Sequence, residues 1–206
     1  MRMSPSRRLQ WLALNRDRLI TATFRSWRLR QCGGDTIVQT PLFWTPEFIE
    51  LGARVLIWRG SRIEAVDEYA GTRYQPTIRL GDGVSLQQSC HITAADTLTI
   101  GDDTTILYGA MITDIDHRYE TLGINVQHQA ITVRKTSIGR NCFIGAGARI
   151  LAGTILGDHC IVGANAVVRG SFPDACVVAG MPARIIKRFD VRCGQWLKTN
   201  AEGEFL

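Results

Sequence analysis

From Ile138 onward an aliphatic residue occupies every sixth position: Ile138, Ile144, Ile150, Leu156, Val162 and Val168. A strand alternates faces every two residues and a helix turns every 3.6, so a beat of six marks a repeated turn of chain that only its neighbours can bury. The same beat runs upstream through Leu80, Leu86 and Ile92, slips by two residues to Ile100, Ile106 and Ile112, and has a shorter run at Leu51, Ile57 and Ile63. Four places after many of these sits a small residue: Val84, Cys90, Thr104, Ala110, Cys142, Ala148, Thr154, Cys160 and Ala166. One large and one small inward position in each six describe a narrow coil with short flat sides. Three sides close one coil, so the chain is expected to be all-β, a parallel β-helix of triangular section over most of residues 51–172. The period does not give the winding, and parallel crossovers in general favour a right-handed one.

The rest of the composition bounds what such a coil can carry. A chain of 206 residues holds one domain with appendages. Its net charge of +5 is unevenly spread: residues 1–30 contain eight arginines against Asp17, a balance of +7 that leaves −2 for the remainder. A near-neutral body argues against nucleic acid as a partner, and the basic segment points to an acidic surface such as phospholipid. Within it, residues 5–27 can form a helix with Leu9, Leu12, Ala13, Leu19, Ile20, Phe24 and Trp27 on one side. Such a helix either caps the open end of the coil or lies on a membrane surface. No apolar stretch is long enough to span a bilayer and no export signal is evident, so a cytoplasmic location, peripheral at most, is expected. The six cysteines lack CxxC spacing and read as reduced thiols, with Cys90, Cys142 and Cys160 in interior slots. The expected organisation is a basic segment 1–30, a β-helix 31–187 and a tail 188–206, with Trp196 packing on a neighbouring subunit.

The repeat breaks where chemistry is expected. After Ile112 the next aliphatic corner should be residue 118, but the beat resumes at Ile138, so Arg118 to Ser137 are read as a projecting insertion. His117 is the last residue before it, with Asp114 and Asp116 beside it, and a histidine at the mouth of a loop is suited to general-base work. The two-residue slip at Ala94–Thr97 falls at the same corner one coil earlier, which would turn Asp96 toward the same cleft. His91 shares the strand-end slot of His117 but counts to a different corner, and both an acceptor contact and a structural hydrogen bond remain open for it. His128 and His159 read as structural.

The segments Ile144-Gly-Ala-Gly-Ala-Arg-Ile150, Val162-Gly-Ala-Asn-Ala-Val-Val168 and Ala179-Gly-Met-Pro-Ala-Arg184 resemble the hexapeptide-repeat acyltransferases, in particular the galactoside and maltose O-acetyltransferases. Cys90-His-Ile-Thr-Ala94 and Ile112-Thr-Asp-Ile-Asp-His117 look more like the bacterial O-acetyltransferases of O-antigen, capsule and exopolysaccharide synthesis. The resemblance spans about the last two-thirds of the chain. It implies a left-handed winding, a homotrimer with active sites between subunits, acetyl-CoA as co-substrate, and no metal. His117 would activate a sugar hydroxyl of a surface polysaccharide or its lipid-linked precursor for direct acetyl transfer, with Asp114 or Asp116 holding its tautomer. Ala146 and Ala164 would line the pantetheine groove, and Arg169, Arg184 and Lys187 would meet the phosphates of CoA. Gln87, His91, Asp96 and Phe143 become the acceptor-binding candidates. Many relatives carry a second histidine where this chain has Ile115, and the polar acceptor residues of the galactoside enzymes fall on Gln87 and Ala95, so a simple galactoside is not the expected acceptor. A nucleotide-sugar N-acetyltransferase is the main alternative. A γ-class carbonic anhydrase would need His91, His117 and His128 to converge on zinc, and a trimerisation module would need no site at all.

Overall fold

The computed structural model describes residues 4–200 and 203–206; Arg2 of the basic segment and Ala201 and Glu202 of the tail lie outside the described residues. Short strands wind through three sheets of seven, nine and six strands, parallel from coil to coil. One coil runs through Thr97–Ile100 in the seven-stranded sheet, Thr105–Ile106 in the nine-stranded sheet and Met111–Thr113 in the six-stranded sheet. In the regular part the register is 18 residues, with Ile138 beside Leu156, Ile144 beside Val162 and Ile150 beside Val168.

Both inward positions of the repeat are filled as the sequence predicts. The aliphatic series from Leu51 to Val168 and the small series from Val84 to Ala166 are buried throughout. A fully buried aliphatic side chain contributes on the order of 1.5–3 kcal/mol, so the three ladders of such residues, one on the inner face of each sheet, drive the chain to coil. Cys90, Cys142 and Cys160 fill small positions of the interior as free thiols. The ladders start a coil earlier than the repeat suggests: Cys32, Val38 and Trp44 pair with Leu51, Ile57 and Ile63.

The corner between the seven- and nine-stranded sheets explains the recurring Gly-Asp step. The Asp82 carboxylate accepts the Ala53 N–H at 2.9 Å, Asp102 accepts from Asp82 at 2.8 Å, Asp158 from Arg140 at 2.8 Å and Asp174 from Asp158 at 2.8 Å. Each aspartate thus satisfies a backbone donor of the coil before it. Glycine precedes Asp82, Asp102 and Asp158 because the coils approach closely: a Cβ on Gly81 would lie 2.7 Å from the Asp102 backbone nitrogen. The residue after the pair takes a positive φ, as Asp103, Asn141 and His159 do, which gives His159 its place as a corner residue.

The N-terminal helix is built as expected and docks on the coil by its polar side. It runs Pro5–Ile20, with the Ser4 side chain as N-cap and proline in its first turn, and continues as tighter and wider turns to Arg28. Its contact with the coil is polar. The buried Asp17 accepts from Gln39 Nε2 at 3.0 Å, Thr21 Oγ1 accepts the Val38 N–H at 2.9 Å, and Arg25 donates to the Val38 carbonyl. Leu9, Trp11, Leu12, Leu19, Phe24 and Trp27 consequently face outward, each 54–76% exposed. The helix thus meets the first coil through polar side chains: strand edges at Val38 offer unpaired backbone groups, which polar side chains satisfy and leucines cannot.

At the other end Cys176–Gly180 is the last parallel strand, and Ala183–Asp190 and Gln195–Lys198 fold back antiparallel on it. The boundary expected between residues 187 and 188 falls inside Ala183–Asp190. Trp196 packs edge to face on Phe189, with ring centroids 5.7 Å apart, and is 40% exposed.

Candidate active site

Every departure from the repeat that projects from the coil lies at the corner where the six-stranded sheet hands the chain to the seven-stranded one. Ile150 to Leu156 takes six residues there, but Ile92 to Ile100 takes eight, Ile63 to Leu80 takes 17 and Ile112 to Ile138 takes 26. The 17-residue crossing contains a hairpin the sequence reading missed, Glu68–Tyr69 against Thr72–Arg73. Its two-residue turn, Ala70-Gly71, has both φ values positive, as a tight hairpin requires. The alanine in the first turn position conceals the signal, and the long spacing from Ile63 to Leu80 was the available one.

The longest crossing is also a hairpin. Ile115–His117 pairs antiparallel with Ile131–Val133, so the projection begins at Ile115 rather than Arg118, and His117 stands in its stem opposite Ile131. This corrects the expected limits. The periodic count locates missing corners, whereas the hairpin recruits the three residues before its loop as a strand.

Asp114 and Asp116 hold the base of this hairpin and do not hold the His117 ring. Asp114 is fully buried, and its two carboxylate oxygens accept the Ala95 and Asp96 N–H groups, each at 2.9 Å. That clamp joins the long crossing to the slip one coil earlier, confirming that both occupy one corner. Burial pushes the Asp114 carboxyl up to about 6 in spite of these two bonds. Asp116 bridges two arginines, Arg169 at 2.7 Å and Arg134 at 3.3 Å. Arg169, expected at the phosphates of CoA, is thereby a strut of the hairpin 53 residues away. The nearest partner of His117 Nδ1 is the Tyr69 hydroxyl at 3.4 Å.

The two hairpins wall a cleft of about 970 Å³ whose floor is the outer face of the six-stranded sheet. Arg62, His91, Met111 and Arg149 form one register row across that sheet. His91 therefore opens onto the same cleft as His117, although it starts its strand at the edge where the chain enters the sheet, the different corner that the count gave it. Its Nε2 is 2.8 Å from Thr93 Oγ1. Burial, with the Arg62 and Arg149 cations, holds its imidazole below the ordinary histidine range against the pull of Glu64. The guanidinium of Arg62 pairs with Glu64 and stacks 4.9 Å over Phe43, giving the floor a polar and an aromatic patch. Three of the other acceptor candidates are elsewhere on the single chain. Asp96 is exposed on the corner behind the clamp, Gln87 lies between the nine- and six-stranded sheets, and Phe143 faces outward from the nine-stranded sheet. His128 lines the cleft from the tip of the long hairpin. No group of three or more His, Cys, Asp or Glu among the described residues is arranged to hold a metal ion, so the three histidines share a cleft without converging.

The stacked alanines are at the opposite edge of the same sheet. Ala146 and Ala164 occupy the corner by which the chain enters it, joined by an Asn165 N–H to Ala146 carbonyl bond of 2.9 Å. Arg184 follows on the next layer, paired opposite Ala179, and Lys187 pairs opposite Val177. A side chain on Gly145 would strike the Ala164 backbone at 2.5 Å, so this edge is narrow by construction.

With this geometry in place, the comparisons with known proteins are specific. The description of the bacterial transferase hexapeptide (six repeats) matches residues 135–170. The chain is 31% identical over 196 residues to the putative lipopolysaccharide biosynthesis O-acetyl transferase WbbJ of Escherichia coli, covering 91% of this chain and 93% of that one. It is 27% identical over 184 residues to a probable acetyltransferase of Mycobacterium tuberculosis, covering 87% of this chain but 61% of that longer one. Among solved structures, a mutant of AntD, an N-acyltransferase from Bacillus cereus in complex with dTDP and coenzyme A, shares the fold with a TM-score of 0.66 at 16% identity, over 85% of this chain and 89% of that one. The chain belongs to the hexapeptide-repeat transferase family, whose left-handed parallel β-helix it adopts.

Proposed function

We propose that the chain transfers an acetyl group from acetyl-CoA to a sugar hydroxyl of a surface polysaccharide or its lipid-linked precursor, with His117 as the general base. The observation that carries this reading is the place of His117, exposed in a hairpin stem at the mouth of the cleft, where every projecting departure from the repeat converges. The relatives reported above, one of them named for lipopolysaccharide biosynthesis, support the acetyl group and the glycan.

A sugar hydroxyl is a weak nucleophile at neutral pH. As its oxygen attacks the thioester carbonyl, His117 takes its proton, a contribution of about 10² to 10⁴ in rate. Collapse of the tetrahedral intermediate breaks the carbon–sulfur bond, and the departing thiolate receives the proton. Transfer is direct, because the interior thiols are poor nucleophiles: burial pushes Cys90 up to about 11 and leaves it inaccessible. The CoA arm would lie along Ala146 and Ala164, with Arg184 and Lys187 toward its phosphates. Because that edge lies across the sheet from His117, a homotrimer would let the alanine corner of one chain serve the histidine of the next. His91, Arg62 and Phe43 would face the acceptor.

The test is to incubate the wild type and His117→Ala with acetyl-CoA and, side by side, lipid-linked glycans, nucleotide sugars and amino-sugar nucleotides, following products by mass spectrometry. Ester products that vanish in the variant are expected. Amide products alone, or equal turnover by the variant, would contradict the proposal.

A lipid-linked acceptor also fits the N-terminal helix. Its outward face interleaves Leu9, Trp11, Leu12 and Leu19 with Arg8, Arg16 and Arg18, while its one acidic residue, Asp17, is buried against Gln39. That combination suits an anionic lipid surface. No helix among the described residues is long and apolar enough to cross a membrane. The wild type should sediment with phosphatidylglycerol vesicles and not with phosphatidylcholine ones, and the double variant Leu12→Glu, Leu19→Glu should lose this. Equal sedimentation of both proteins would reject the contact.

A further inference from the structure

The proton inventory around His117 assigns a role to a residue from a different hairpin. Tyr69 has one hydroxyl proton, and its oxygen lies 2.8 Å from the Gln127 backbone carbonyl. A carbonyl oxygen only accepts, so the tyrosine donates there and has lone pairs left. The same oxygen lies 3.4 Å from His117 Nδ1. With its proton committed to Gln127, it can only accept from that nitrogen. A neutral imidazole meeting this acceptor carries its proton on Nδ1, which leaves the lone pair on Nε2.

Three further observations make the arrangement specific. The Tyr69 and His117 rings meet edge to face, with centroids 5.5 Å apart, so the phenol fixes the plane of the imidazole as well as its proton. The carboxylates nearest in sequence are engaged elsewhere, Asp114 with two backbone donors and Asp116 with two arginines. Gln127 belongs to the tip of the long hairpin, so one hydroxyl ties the two hairpins together at the point where the base stands.

We propose that Tyr69 is a positioning residue: it holds His117 as the Nδ1–H tautomer and so makes Nε2 the atom that takes the acceptor proton. The catalytic half of this statement rests on the reading of His117 as the base, and the tautomer half does not. An Nε2–H tautomer would present a donor to the incoming hydroxyl and could not accept its proton, so loss of the phenolic hydroxyl should act on turnover far more than on binding.

The test uses imidazole ¹⁵N shifts of the full-length protein, which separate the two neutral tautomers and need no knowledge of the acceptor. The spectrum of His117→Ala assigns the resonance among the four histidines. In the wild type His117 is expected as Nδ1–H. In Tyr69→Phe, which keeps the ring, it is expected to revert mainly to Nε2–H. With acetyl-CoA and an accepted glycan, Tyr69→Phe should lower kcat roughly 10- to 100-fold, within the general-base contribution, and leave both KM values within about twofold. A wild-type His117 found as Nε2–H would overturn the proposal without any variant. So would an unchanged Nδ1–H tautomer in a folded Tyr69→Phe, or full kcat in that variant beside an inactive His117→Ala. Full activity of His117→Ala would instead remove the general-base reading and leave the tautomer assignment to the spectra.

Discussion

The corner between the seven- and nine-stranded sheets is nearly the same in coil after coil, a glycine where the next coil presses and an aspartate that caps a backbone donor. The corner between the six- and seven-stranded sheets is different in almost every coil, with crossings of six, eight, 17 and 26 residues. One corner is bound by a fixed distance between backbones and so admits little change. The other leads chain into solvent, where added residues cost little loop entropy and can be shaped into walls. The coil thus separates stability from chemistry by edge rather than by domain.

That contrast can be broken or sharpened by substitution. The largest stability effect is expected at the regular corner, from Gly139→Ala, whose new Cβ would sit 2.5 Å from the Gly157 carbonyl carbon and oxygen. Backbone must move to admit it, a cost of roughly 3 kcal/mol, read as a lower Tm in thermal unfolding. Turnover per folded molecule should be unchanged, and a selective loss of kcat would break the division of labour.

Asp114 belongs to the interrupted corner, and its effect should depend on pH. Burial raises its carboxyl to about 6, so the folded chain keeps a proton that the unfolded chain, with an ordinary carboxyl near 4, gives up earlier. Stability from this group is therefore complete below about pH 4 and is lost as pH rises through about 6, an amount of roughly 2–3 kcal/mol. The Tm of wild type relative to Asp114→Asn should fall across that window. A difference that rises or stays flat would show that the clamp is ionised throughout.

Asp158→Ala should have the smallest effect. It removes one backbone cap, about 1 kcal/mol, and an ion pair with Arg140 that water screens, with no change in turnover.

Much of this architecture was legible because burial on a six-residue beat leaves a trace in residue size. The aliphatic and small positions named from the repeat are all interior. The first coil lies within the β-helix expected from residue 31 but outside the aliphatic beat, because Cys32 and Trp44 stand where aliphatic residues stand elsewhere. The site was legible through His117 and His91 alone, since a break in period says where the chain leaves the coil and nothing about what it meets outside. Tyr69 lies 48 residues upstream and reaches the histidine across two coils, a contact that no local spacing encodes. The orientation of the N-terminal helix was left open for a related reason: periodicity gives a helix two faces, and the partner decides which turns inward.

The central claim is that the interrupted corner carries the reaction through one imidazole, and His117→Ala tests it most directly. The initial rate of acetyl-CoA-dependent acetylation of an accepted glycan is expected to fall by about 10² to 10⁴ while Tm stays within about one degree. A variant that keeps near-wild-type turnover with the same Tm would contradict it.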